Sequence, residues 1–170
     1  MNAEASRRLD GLIARLRARG HRLTPQRVAI LRELVSRTDH PCVEQLHAAI
    51  LPSYPATSLA TVYKTIHLLK EHGEVLELGF GELGSRYDGR HPEPHPHLIC
   101  TRCGTIADPA AAGQEDAGTG FSDEVADTMA AEVAAEVAAF AAALSKRAGF
   151  AVSSHRFDLF GLCARCRAKG

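Results

Sequence analysis

The sequence predicts an α+β protein with two domains: an N-terminal winged helix-turn-helix over residues 1–89 and a small α/β domain over residues 90–170. Three observations carry this reading. Apolar residues recur at helical spacing through residues 3–73. Two short alternating segments around a Gly-rich turn follow them. Beyond residue 90 the texture changes to His- and Cys-rich strands, an Ala/Gly-rich loop and one long Ala-rich helix.

The first helix is expected from about residue 3 to Arg19, with Leu9, Leu12, Ile13 and Leu16 on one face and Gly20 ending it. Thr24 is placed to cap the next, with Pro25 at its first position, and Val28, Leu31, Leu34 and Val35 form its stripe. "CVEQLHAAIL" predicts a third short helix ended by Pro52. The fourth, over residues 57–73, has Thr57 or Ser58 as cap, Leu59, Val62, Ile66 and Leu69 as buried stripe and Gly73 as its stop. "EVLELGF" and "SRYDG" then read as strands joined by "GELG". Helices followed by a β-hairpin give the order of a winged helix, whose later helix enters the DNA major groove. The face opposite the fourth helix's stripe carries Ala60, Thr61, Tyr63, Lys64 and His67, side chains suited to base edges and phosphates; an ordinary solvated face is the plainer alternative.

In the second half, "HLICTRCGTIAD" predicts two strands joined by a tight turn, and "PAAAGQEDAGTG" a loop. Ser122 is placed to cap a helix with the stripe Val125, Met129, Val133, Val137, Phe140 and Leu144, and "FAVSSHRFDLFGLC" alternates like a strand. No apolar run approaches the roughly 20 residues a membrane span needs, and no signal peptide is expected at the N-terminus, so the expected location is the cytoplasm. Charge is uneven. Residues 1–38 hold nine arginines against Glu4, Asp10 and Glu33, a net +6, while residues 109–145 hold seven acids and no Lys or Arg. A basic end suits a polyanion, although two solvated helix faces would look the same.

The chemistry lies in the cysteines and histidines. Cys100-x-x-Cys103 and Cys163-x-x-Cys166 form two pairs, and Cys42 stands alone. Each CxxC turn holds two thiolates close enough for one ion, so four predict a closed structural zinc site without an open position for substrate. A redox-active CxxC or an oxidation-formed disulfide are the competing readings. A second group, Asp88, His95, His97 and Asp108, offers nitrogen and oxygen donors, which suit Fe(II) or Mn(II), although zinc or nickel would also bind. A histidine cluster in a Pro-rich stretch can equally be an exposed linker. A zinc hydrolase built on His95, His97 and an Asp lacks any sign of a substrate pocket. A zinc-stapled adaptor leaves the basic N-terminal domain unexplained.

Over nearly its whole length the chain resembles the ferric uptake regulator (Fur) superfamily of bacterial metal-dependent repressors. The resemblance is carried by "RLTPQR", "SLATVYKTIHLLKEHGEV", "SRYD", "HPHLICTRCG" with Asp108, and "CARC". It implies a homodimer that binds palindromic double-stranded operators through the winged helix, with the second domain serving dimerisation, and no enzymatic activity. It implies a regulatory metal, Fe(II) or Mn(II), held by His40, Asp88, His95, His97 and Asp108, beside structural zinc on the four cysteines. It supports Tyr63 and Lys64 as DNA contacts, joined by Thr61 and Arg22, and allows Arg27 either a phosphate contact or a pairing within the helix bundle.

Iron-sensing members usually carry glutamates where this chain has Asp88 and Asp108, and the Asp/Asp version looks like the peroxide-responsive branch. That implies iron-catalysed oxidation of the ligand histidines His40 and His95 by hydrogen peroxide, with release of operator DNA. An iron- or manganese-responsive repressor without peroxide chemistry is the alternative. Zinc-uptake regulators generally place a cysteine in the region of "SRYD", which argues against that branch. Pro94 and Pro96 occupy positions where many relatives hold ligands of a further metal site, leaving only His155, His91, Glu115 or Asp116 as candidates. Cys42 reads as a small buried hydrophobe or a redox reporter.

Overall fold

The structure, a computed structural model, describes residues 1–79, 84–108 and 123–169, with the backbone alone over residues 123–131. Expectations for most of the "GELG" turn, the 109–121 loop, Glu115, Asp116, the Ser122 cap and the side chains of Val125 and Met129 lie outside these residues. The chain divides into two compact units, Met1–Glu93 and Pro94–Gly170. Among the described residues, no helix is long and apolar enough to cross a membrane.

The first unit is a winged helix. It comprises α1 (Ala3–Ala18), α2 (Pro25–Ser36), α3 (Val43–Ile50), α4 (Leu59–Glu71), β1 (Leu76–Gly79) and β2 (Ser85–Asp88). Local signals start each helix: the Asn2 side chain accepts from Ala5 N–H, Thr24 from Arg27 N–H ahead of Pro25, and Ser58 from Thr61 N–H. Gly20 and Gly73 end α1 and α4 at φ of 80° and 63°. The strands pair antiparallel with Leu76 opposite Asp88. Leu12, Leu16, Leu31, Leu34, Leu46, Val62 and Leu69 are all fully buried in one core. Two stripe positions depart from expectation. Leu59, in the first turn of α4, is exposed, while Thr65 and Leu68 are buried. On α2, Ile30 is buried and Val28 only half-buried.

One polar cluster ties α1 to the wing. Glu74 is 5% exposed. It receives Arg15 at 2.6 and 2.8 Å, Arg8 at 3.0 Å and Arg19 at 3.4 Å. Arg8 also donates to the Glu74 and Gly89 carbonyls. Three of the nine N-terminal arginines are thus committed to ion pairs within the protein, so the basic end is partly structural. Gly89 packs so tightly that a Cβ there would lie 2.5 Å from Leu34 Cγ.

The second unit comprises β3 (Pro96–Cys100), β4 (Ile106–Ala107), α5 (Asp123–Ala148), β5 (Phe157–Gly161) and α6 (Ala164–Arg167). β3 is central, antiparallel to β4 and parallel to β5. The strand expected from Phe150 begins only at Phe157. Phe140 and Leu144 of α5 and Leu159 and Phe160 of β5 are exposed.

The hydrogen bond from Arg15 leads the forces that pull Glu74 from 4.5 to about 2. Because this carboxyl is depressed in the folded state, its stabilisation is full above about pH 4.5 and is lost as pH falls toward 2. Glu74→Gln is expected to cost about 2 kcal/mol at pH 7, discounted for the half-exposed Arg15 and Arg19, and to flatten the acid limb of a urea-stability profile between pH 4.5 and 2.

Candidate metal centres

Four thiols meet at the ends of β3 and β5. Cys100 closes β3, the turn to β4 carries Cys103, and Cys163 and Cys166 flank and enter α6. The turn is shaped by Gly104 at φ 70°, whose N–H donates to Cys100 O, and by Cys100 N–H donating to Thr105 O. Arg102 Nη1 donates to Cys166 O at 2.6 Å, latching one knuckle to the other. All four Sγ atoms lie within 4.8 Å of one another, and every cysteine is a free thiol. Zn–S bonds of about 2.3 Å in a regular tetrahedron give sulfur–sulfur edges of about 3.8 Å; Cys103 and Cys163 Sγ stand 3.8 Å apart. Thr105, through its hydroxyl and N–H, brings Cys103 down to about 5, while burial raises Cys166 to about 12. A divalent cation resolves that conflict by stabilising all four thiolates, so the donor set fits zinc.

In the first unit, His40 and Asp88 face each other, with Nε2 3.7 Å from Oδ2. Both are buried. His40 holds φ at 51°, a conformation a non-glycine residue adopts at a cost. The following Pro41 carbonyl accepts Tyr87 N–H at 3.1 Å, tying this bend to β2. Asp88 Oδ1 accepts the Arg90 and His91 N–H groups at 2.7 and 3.1 Å, which leaves Oδ2 as the oxygen turned to His40.

In the second unit, His95 Nε2 and His97 Nε2 lie 3.4 and 3.8 Å from the same atom, Asp108 Oδ1. The rings are 4.3 Å apart between centroids. His97 and Asp108 are buried. Two imidazoles and a carboxylate converging without sulfur form a donor set for Fe(II) or Mn(II). His97 Nδ1 also lies 3.5 Å from Asp158 Oδ1, a neighbour the sequence reading missed; pairing His97 with the alternation of "RFDLFG" was its only signal.

On α4, Tyr63, Lys64 and His67 are exposed and Thr61 half-buried, its hydroxyl 3.0 Å from that of Ser58. Tyr63 OH donates to Glu44 Oε1 at 2.8 Å. Arg22 is exposed, and its carbonyl accepts Arg27 Nη1. His155 lies in neither the thiol group nor the group around Asp108. His91 Nε2 stands 3.9 Å from Glu4, and Cys42 is half-buried beside α3.

Residues 18–122 match the ferric uptake regulator family. The peroxide-responsive repressor PerR of Staphylococcus epidermidis is 33% identical over 162 residues, spanning 95% of this chain and 92% of that repressor. The Campylobacter jejuni peroxide stress regulator aligns in structure with a TM-score of 0.56 and 27% identity, covering 95% of this chain and 96% of that one. The Helicobacter pylori ferric uptake regulator Fur, described with three functional metal binding sites, aligns with a TM-score of 0.62 at 22% identity over 96% and 93% of the two chains, a likeness of fold. The chain belongs to the ferric uptake regulator family, whose members are metal-responsive, DNA-binding transcriptional regulators rather than enzymes.

Cys103→Ser is expected to abolish stoichiometric zinc retention and to lower the thermal midpoint by about 10 °C or more. Zinc content and a circular-dichroism melt check both; full zinc retention would sink the four-thiolate assignment.

Proposed function

We propose that this ferric uptake regulator homologue is a transcriptional repressor that senses hydrogen peroxide through iron. Zinc on Cys100, Cys103, Cys163 and Cys166 is structural. A regulatory Fe(II) or Mn(II) is held by His40, Asp88, His95, His97 and Asp108, two ligands from the winged helix and three from the second unit. Held by residues of both units, an ion would tie the DNA-reading unit to the dimer core and so fix the spacing of the two recognition helices against a palindromic operator. Metal and operator affinities are then coupled in both directions. Arg22, Thr61, Tyr63 and Lys64 contact the DNA. The apolar side chains exposed on α5 and β5 supply the homodimer interface, and the protein acts in the cytoplasm.

The observation that carries this reading is the sorting of donors. Thiols gather in one group, while His40, His95 and His97 each stand within 4 Å of a carboxylate oxygen. When bound, iron supplies the electron transfer by which peroxide gives one oxygen atom to a ligand imidazole and releases the other as water. His40 and His95 are the rings that take it up. The His95 side chain, at 18% exposure, is the more accessible of the two. A ring so modified would be a weaker donor at this site, and the winged helices would no longer be held to the operator spacing. Asp88 and Asp108 in place of glutamate, and 33% identity to a peroxide-responsive repressor, favour this over iron or manganese sensing alone.

Anaerobically prepared Fe(II) protein is expected to bind its operator and to release it after a small dose of peroxide. Peptides covering His40 or His95 should each gain one oxygen atom, and Mn(II) protein should do neither. Metal-dependent binding that survives peroxide with both histidines unmodified would leave a metal-responsive repressor without oxidation chemistry. Phe140→Asp is expected to yield monomers in sedimentation equilibrium and to weaken operator binding at least tenfold.

A further inference from the structure

The site as described leaves one partly buried carboxylate with no task. β3 and β5 run parallel with His97 and Asp158 as register partners, so both side chains rise from one face of the sheet. His97 turns Nε2 toward Asp108 and Nδ1 toward Asp158. The residue is 1% exposed, and the Asp158 side chain 12%. Asp158 Oδ2 is paired with Arg156, which holds the carboxylate from its outer side and leaves Oδ1 aimed at the ring. The 3.5 Å separation is at the long limit of a hydrogen bond.

A neutral imidazole that gives one nitrogen to a cation carries its proton on the other. A carboxylate beside that second nitrogen accepts the proton, fixes the tautomer and makes the ring a stronger donor. We infer that Asp158 is a positioning residue for the regulatory metal: its Oδ1 accepts the Nδ1 proton of His97 and commits Nε2 to the ion. The inference rests on the reading of His97 as a ligand. The same two strands carry thiols of the zinc group, Cys100 at the end of β3 and Cys163 just beyond β5, and Thr101 N–H donates to Gly161 O at 2.8 Å between them. The thiol group thus lies at the ends of the same strand pair that brings Asp158 opposite His97.

The test titrates Mn(II) into the full-length, zinc-replete protein. Asp158→Ala and Asp158→Asn are expected to weaken Mn(II) binding about ten- to hundredfold, with zinc content and thermal midpoint unchanged. Asp158→Glu is expected to recover most of the loss, and Arg156→Ala to stay near wild type. In long-range 1H–15N spectra without added regulatory metal, His97 is expected as the Nδ1–H tautomer in the wild type and as a mixture in Asp158→Ala. Wild-type Mn(II) affinity in Asp158→Ala, where His97→Ala abolishes binding, would overturn this inference and leave the ligand assignment standing. Wild-type affinity in His97→Ala as well would overturn the assignment itself. An affinity loss that Arg156→Ala reproduces in full, or that comes with loss of zinc, would also overturn it.

Discussion

The parallel register of β3 and β5 is the constraint on which the second unit depends. A parallel pair has no tight turn to hold it in step, and here α5 and the segments around it separate the two strands in sequence. Their ends are instead held by the convergence of four thiols, by Thr101 on Gly161 and by Arg102 on Cys166. A slip of one residue would turn His97 to the opposite face from Asp158 and draw Cys100 away from Cys163. One closure at the strand ends thus decides the geometry of a histidine several residues away. Groups at the strand ends can therefore matter to a side chain they never touch.

In the winged helix the equivalent fixing is done by ion pairs and backbone hydrogen bonds. Glu74 gathers arginines from three turns of α1, and Arg8 continues to the Gly89 carbonyl just past Asp88. Asp88 spends one oxygen on backbone N–H groups and so presents the other in a fixed direction. His40 reaches it only because the backbone accepts a left-handed bend before Pro41. Each of these costs some stability or freedom, and each narrows where a ligand atom can stand.

Much of this was legible in the sequence because it is local. Caps such as Thr24 before Pro25, the leucine stripes of α1 and α2 and the CxxC turns are written within a few residues of where they act. Leu59 misled because helical periodicity says which face a residue occupies but not whether a neighbouring element extends far enough to cover it. The contact of His21 with His72, 2.7 Å between their Nε2 atoms, and the arginine clamp on Glu74 join residues more than fifty positions apart, where no spacing rule operates. Asp158 was hidden for a related reason. In "HRFDLFG" it looks like the polar half of an alternating strand, and only the partner strand shows that this side faces a histidine.

Gly89 has a consequence for how such a sensor changes over time. With Leu34 pressed against its α-carbon, the end of β2 that carries Asp88 rests directly on the hydrophobic core. The position of the Asp88 carboxylate is therefore set partly by the volume of a leucine on α2. Exchanging Leu34 for a residue of different bulk would reposition the carboxylate by fractions of an ångström. Two descendants with identical ligands could then respond at different metal concentrations. Sensitivity can drift through the oily interior while every coordinating residue is preserved, so a ligand set alone does not define a threshold.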